Sequence, residues 1–513
     1  MPKAGLSVSV GVSIAAAGAQ QSITLRPGKP QCPSRVLAVR PASLGGSRAQ
    51  CDGTLPICQR CIKSRRECYG LRDAQSLSFI HSENPFADGK VKRPRGPRSS
   101  RNPSSHRDGS GDVKAQAMAF YFQKFLQAPR ETPDFIRTLA DDYMTGRELF
   151  ASSQLLDTAV SAMALGTFAR THRHAEAEVQ AFKAYEQVLR KVQPAIQSLD
   201  SGTVDVCLLT IFFMSRYEDL VHHPVTSAPE SRVTSDLPSF SHHDGAAAIL
   251  KMWKERFRSS HPPSDVIKHT RRGMTRSALL RTRTLPDWMR DGSEFGECGL
   301  GLAYDQIIVR ILELRQLAQD ATSTEDVLVE TSALHQALDE WMSAFPKRWD
   351  FRRHNLSDQF GLSPQDFYSP TVYSYTSSTY AGVWAKYYAT KMLVENVRIS
   401  LGPTYVPTEG VSNQRSDSFS CLDSFANDLA STVPFALERF KLTSPPPHSI
   451  SLNTEDIKPY NATLIAWPLT MASGISRLKP EQRSWFRSTV ARIGRVVGVG
   501  VFECAETEKW FEL

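Results

Sequence analysis

No stretch of the chain reaches the roughly 18 to 20 apolar residues that a membrane-crossing helix needs. The richest run, TVDVCLLTIFFM, has twelve residues and is expected to be a core helix. Period-two alternation of apolar and polar residues is almost absent, which argues against a β fold. No repeat of fixed period occurs, which argues against a regular solenoid. The sequence has no G-x-S-x-G, no Walker loop and no H-E-x-x-H, so the common hydrolase, nucleotide-binding and zinc-protease signatures are missing. Acidic residues are absent before Asp52, and heptads are absent from residues 71–112, so no coiled coil is expected directly after the thiol cluster described below.

What the sequence does contain is unevenly spread. Residues 1–112 carry 18 Lys and Arg against 7 Asp and Glu, whereas the other 401 residues carry 43 against 46. A basic head on a slightly acidic body suits an anion-binding arm, with nucleic acid the first expected partner and a membrane surface the second. With 41% hydrophobic residues in 513, the body can bury a large core of its own.

Nine cysteines are present, four of them within eighteen residues: Cys51, Cys58, Cys61 and Cys68. Their spacing is C-x6-C-x2-C-x6-C. A Cys-x2-Cys pair grips one ion with two sulfurs from a tight turn, and four thiolates complete a zinc tetrahedron. Clustered thiols in a long chain fit metal ligation in a reducing compartment better than a disulfide framework. Cys207, inside the apolar run, is expected to be a buried small hydrophobe.

Four zones follow from composition. Residues 1–50 lack helical or strand periodicity and are expected to be unstructured. Lys3 with GLSVSVGVSIAAAGAQQ imitates a signal peptide, and the acid-free arginines Arg26, Arg35, Arg40 and Arg48 imitate a transit peptide, but the thiol cluster argues against export. Residues 51–70 hold the thiols. Residues 71–112 are a Pro-, Ser-, Gly- and Arg-rich linker that cannot bury enough apolar surface to fold. Its basic knot, Lys90, Lys92, Arg93, Arg95 and Arg98, is a candidate nuclear-import signal, a phosphate tether or a plain solvated charge run.

From about residue 113 to 513 the pattern is helical. In HAEAEVQAFKAYEQVLRKVQPAI, Phe182, Tyr185, Leu189, Val192 and Ile196 recur at steps of three and four, predicting an amphipathic helix that buries this stripe. The following segment, through TVDVCLLTIFFMSRYEDL, is apolar on nearly every side and predicts a central helix. Further helices are expected at about 243–258, 301–320, 325–343, 379–400, 421–440, 455–473 and 480–505. The fold class is therefore mainly α, one large all-helical domain preceded by a small cysteine cluster and a disordered linker.

The run CDGTLPICQRCIKSRREC resembles the second half of the fungal binuclear zinc cluster, in which six cysteines hold two zinc ions. The resemblance makes Cys51 the third cysteine, Pro56 the loop proline, and Cys58, Cys61 and Cys68 the fourth to sixth. The first two expected cysteines are replaced by Pro41 and Leu44, and Gly46-Ser47-Arg48-Ala49-Gln50 stands where a basic helix normally enters the major groove and reads a CGG triplet. Three accounts stay open: a wrongly translated N-terminus such as an intron, a degenerate relative that no longer reads DNA, or a single zinc held by the four remaining thiolates. Arg60, Lys63, Arg65 and Arg66 surround Cys61, and the resemblance implies that they contact DNA phosphate.

The body, through AFKAYEQVLRKVQPAIQSLDSGTVDVCLLTIFFMSRYEDL and HHDGAAAILK, with WAKYYATKMLVENVRIS, STVPFALERF and ATLIAWPLTMAS, is similar to the fungal-specific transcription factor domain. That likeness implies a regulatory scaffold that silences, dimerises or contacts coregulators, in some relatives sensing a small molecule. The histidine doublets His222-His223 and His242-His243 have no carboxylate at ligand spacing and are expected to be surface or loop residues. Gly494, Gly498 and Gly500 do not form G-x-G-x-x-G and follow a helical pattern.

The expected protein is thus a nuclear RNA polymerase II transcription regulator, not an enzyme and not membrane-bound. It has a zinc-thiolate head for double-stranded, CGG-containing DNA, with a homodimer and coregulators as further partners. The alternative is a protein-binding co-regulator without sequence-specific DNA binding.

Overall fold

The computed structural model describes residues 109–513, apart from 127–131, 138, 146–152, 223–236, 238, 320–323, 357–360, 401–408 and 443–449. These residues belong to one unit, Arg107–Leu513. The first fifty residues, the thiol cluster and the basic linker up to residue 108 lie outside the described residues, while residues 109–112 of the expected linker belong to the first helix.

The described chain is mainly helical. The helices are α1 (Gly109–Phe125), α2 (Leu139–Thr145), α3 (Gln154–His172), α4 (Ala175–Gln197), α5 (Val204–Val221), α6 (Ser239–Met252), α7 (Asp265–Leu280), α8 (Asp287–Arg290), α9 (Gly299–Gln319) and α10 (Thr324–Ser343), followed by α11 (Ser378–Ser400), α12 (Glu409–Ala436), α13 (Pro459–Gly474), α14 (Pro480–Val497) and α15 (Gly500–Glu503). A short 3-10 turn, Asp134–Ile136, precedes α2, and a π turn, Trp253–Phe257, continues α6.

Helix starts follow capping chemistry. Ser153 and Ser264 stand just before α3 and α7, and their hydroxyls accept from Leu156 N at 3.3 Å and Ile267 N at 3.1 Å. Each satisfies a donor that the first turn leaves unpaired, worth about 1 kcal/mol. Pro459 and Pro480 open α13 and α14, where a missing N–H costs nothing. The predicted helix over 480–505 is cut at Gly498, whose φ of +70° closes α14 with its N–H bonded to Gly494 O. Gly500 then passes so close to α5 that a Cβ there would lie 2.0 Å from His222 O.

Two antiparallel ribbons interrupt the helices: β1 (Arg352–Asn355) with β2 (Thr371–Ser374), and β3 (Phe440–Leu442) with β4 (Ile450–Leu452). Neither announces itself in the sequence, because both are short and β2 buries Val372, Tyr373 and Ser374 consecutively instead of alternating.

α5 is enclosed as expected, packed on α3, α4, α6 and α7. Cys207 is 1% exposed within it, and burial pushes its thiol up to about 11. α4 is amphipathic, but its buried face is Ala177, Ala181, Tyr185, Val188 and Val192, while Phe182 of the predicted stripe is 55% exposed. Small alanines let α3 approach closely, and this rotates the face by about one position from the one that counting large apolar residues suggests. The most deeply enclosed helix is α11, with twenty buried residues between α10, α12 and α13.

Candidate functional site

The site is built on α7, a helix absent from the expected set. Its sequence, DVIKHTRRGMTRSALL, is rich in cationic side chains, yet eleven of its sixteen residues are buried. Each buried arginine is matched by groups from other elements. Arg271, with no measurable exposure, donates to Met289 O and Arg290 O at 2.9 Å and pairs with Asp305 of α9. Its guanidinium also lies 5.4 Å from the Phe295 ring centre.

Arg272 is gripped from two sides. Glu297 takes two of its bonds, one of 2.6 Å to Oε2, while Asp134 takes two more through its backbone carbonyl at 2.8 Å and its carboxylate at 2.7 Å. Gly301 leaves room for this pair, since a Cβ there would lie 3.1 Å from Glu297 Oε2 and 3.4 Å from Arg272 Nη2. Burial acts to raise the Asp134 pKa, but the nearby His269, 3.7 Å away, and the bond and charge of Arg272 outweigh it and hold the carboxyl well below its usual range. Asp305 shifts the other way: burial raises it against the pull of Arg271.

Next to these pairs is a cavity with about 30 Å³ of room for water-sized groups. Arg272, Thr275 and Arg276 come from α7, Gly301, Tyr304, Asp305 and Ile308 from α9, Lys386 from α11, Trp467 from α13, and Phe135 and Glu297 from the turns between. Lys386 is 4% exposed. Its ammonium donates to Phe135 O and lies 5.5 Å and 5.4 Å from the ring centres of Phe135 and Tyr304. Burial drives its pKa well below the lysine value, reinforced by repulsion from Arg276 and Arg272. The Tyr304 hydroxyl is held 3.1 Å from Thr390 Oγ1. Arg276 stacks 5.6 Å from the Trp467 ring centre, and burial lowers it to about 10. The cavity can therefore stabilise negative charge beside aromatic surface.

The expected site residues do not enter it. Cys51, Cys58, Cys61 and Cys68, the phosphate-contact candidates Arg60, Lys63, Arg65 and Arg66, and the import candidates Lys90, Lys92, Arg93, Arg95 and Arg98 all lie outside the described residues. The expectation of a zinc cofactor is corrected: among the described residues no group of three or more His, Cys, Asp or Glu side chains could hold a metal ion. Cys207, Cys298, Cys421 and Cys504 form no disulfide with one another. Burial keeps the Cys207 and Cys504 thiols protonated, and metal binding needs converging thiolates.

Of the histidine doublets, His223 lies outside the described residues. His242 and His243 sit half-buried on α6, not in a loop or on the open surface. Adjacent positions send them to different partners: His242 Nε2 to Glu218 at 3.0 Å and Tyr185 at 3.1 Å, His243 Nε2 to Ser215 at 3.1 Å. Among the described residues no helix is long and apolar enough to cross a membrane.

Sequence reasoning missed the whole cavity. The one signal present was the arginine triplet of TRRGMTR, which reads as a solvated face when each arginine is scored as polar. No family model, no curated protein and no solved structure matches the chain, so the family resemblance rests on its sequence motifs alone.

Proposed function

We propose that the protein is a nuclear transcription regulator in which the basic N-terminal segment binds double-stranded DNA and the all-α body regulates that binding or recruits coregulators. The observation that carries this reading is the division of charge, 18 basic against 7 acidic residues in 1–112 and a slight acidic excess thereafter. The body's arginines support it from the other side, because many are spent internally. Arg281 holds Asp244 with bonds of 2.6 and 2.9 Å, Arg492 holds Asp366 at 2.6 Å, and Arg271 and Arg272 are buried in pairs. A polyanion would find the chain's excess of cationic residues in the N-terminal segment. Zinc forms no part of this reading, and neither does a catalytic role.

A second reading, a protein-binding co-regulator without sequence-specific DNA binding, is favoured by Val179 and Phe182. They lie one turn apart on α4 at 53% and 55% exposure. Fluorescence anisotropy of the full chain on a CGG-containing duplex and on a scrambled duplex, between 50 and 300 mM salt, separates the two. The first reading expects tighter binding to the CGG duplex and an affinity that falls steeply with salt. Equal binding to both duplexes favours the second, and no binding even in dilute buffer removes DNA from the account.

A further inference from the structure

The geometry points to a binding site for a small carboxylate ligand in the cavity between α7, α9, α11 and α13, its carboxylate held by Arg276 and Lys386 and its apolar body laid against Trp467 and Ile308. This goes beyond the regulatory reading and does not depend on whether the chain binds DNA.

Charge and hydrogen-bond inventory carry the argument. Of the cations at the cavity, Arg272 is matched by Glu297 and Asp134, and Arg271 behind the wall by Asp305. Arg276 and Lys386 have no such match. Among the described residues Arg276 makes no hydrogen bond or ion pair with any acceptor and stacks on the Trp467 ring, with Tyr304 and Glu297 in the same wall. Its guanidinium lines the cavity with N–H donors that no acceptor takes up. Lys386 brings three donors, and only the Phe135 carbonyl accepts one of them. Two poorly matched basic groups close enough to repel each other in a half-open pocket are unfavourable as a charged pair unless an anion joins them.

The shape of the site selects the class of anion. Arg272 engages both oxygens of Glu297 and Arg271 engages Oδ1 of Asp305, so among the described residues the wall offers no converging set of free carboxylates to a metal cation. The room suits a planar group of a few atoms more than a bulky polyphosphate, and a carboxylate matches the planar guanidinium fork. Phe135, Ile308 and Trp467 leave the rest of the wall apolar, which fits a hydrocarbon tail lying along the open side of the pocket.

The test uses the full-length protein with acetate, butyrate and benzoate as probes, benzamide as the uncharged counterpart of benzoate, and inorganic phosphate as a rival anion. Calorimetry and the thermal midpoint are read for the wild type, Arg276→Met, Lys386→Met and the surface control Arg190→Met. The expected result is a midpoint raised by at least one carboxylate and not by benzamide, with affinity at least tenfold weaker in Arg276→Met and Lys386→Met and unchanged in Arg190→Met. Both cavity variants should keep or raise the ligand-free midpoint, since Lys386→Met removes a buried amine and Arg276→Met a half-buried guanidinium that no acidic group pairs; a merely structural role would lower it. Should one variant fail to fold, the other variant and the wild-type comparison of benzoate with benzamide still decide. Benzamide binding as well as benzoate, phosphate acting while every carboxylate is silent, or no response to any probe overturns the proposal.

Discussion

Helices α5 and α7 are both enclosed by the body, yet they are made of opposite materials. α5 buries Val204, Leu208, Leu209, Ile211, Phe213 and Leu220 along an almost wholly apolar surface. α7 buries Arg271, Arg272, His269, Thr270 and Thr275 beside its apolar residues. α5 is held by removing hydrocarbon from water, and any apolar neighbour of the right volume serves it. α7 can be buried only where acceptors stand at fixed places, because each guanidinium leaves water with five donors and a charge. The charged region is therefore more demanding of geometry, and the apolar region is more demanding of volume.

The two kinds of core should respond differently to single changes. The largest effect is expected for Glu297→Gln, which leaves Arg272 with a neutral partner in a buried site; a loss of about 3–5 kcal/mol is expected in urea unfolding. A loss below about 1 kcal/mol would mean that Asp134 alone neutralises Arg272. Leu209→Ala, in the apolar helix, should cost about 3 kcal/mol through lost transfer energy and a residual cavity. That cost should be the same at low and high salt, and a marked salt dependence would break the distinction between the two regions.

Acid offers a third comparison, because it can place charge on the apolar side. Burial, helped by the nearby His242 and Arg281 charges, lowers His243 from 6.5 to about 4. Between those values the unfolded chain binds a proton that the folded chain does not, so stability falls as pH drops through that window. His243→Gln should shrink this loss by about 1–2 kcal/mol, measured as the difference between urea unfolding at pH 7 and pH 4.5. An unchanged difference would show that His243 accepts its charge freely. The smallest effect is expected for Arg190→Met. Arg190 is 77% exposed and 3.7 Å from Glu186, and the change should stay within about 0.5 kcal/mol.

The same contrast explains what the sequence discloses. α5, α9, α10 and α11 stand out because hydrocarbon signals burial wherever it recurs. α7 does not, because an arginine matched by Asp305 or Glu297 is written with the same letter as one in water, and its partners lie 25 to 34 positions away. The burial of Ala177 and Ala181 in place of Phe182 has a related cause, since close approach rewards small residues that hydropathy counts weakly. The cavity is harder still to read. Its walls are drawn from residues between 135 and 467 on separate elements, and no local spacing links Arg276, Lys386 and Trp467. The residues singled out from the sequence for metal and DNA all lie before Gly109, outside the described part of the chain.

The position of α11 has a consequence for how the body is made. Its neighbour α10 precedes it, but α12 and α13, which cover its other sides, emerge from the ribosome later. During that interval the nascent chain presents Val383, Met392, Leu393 and Val397 to solvent without their final cover, and a chain terminated before Pro459 never acquires the part that α13 supplies. Newly synthesised protein should depend on chaperone holding at this stage, with aggregation as the failure of shortened products.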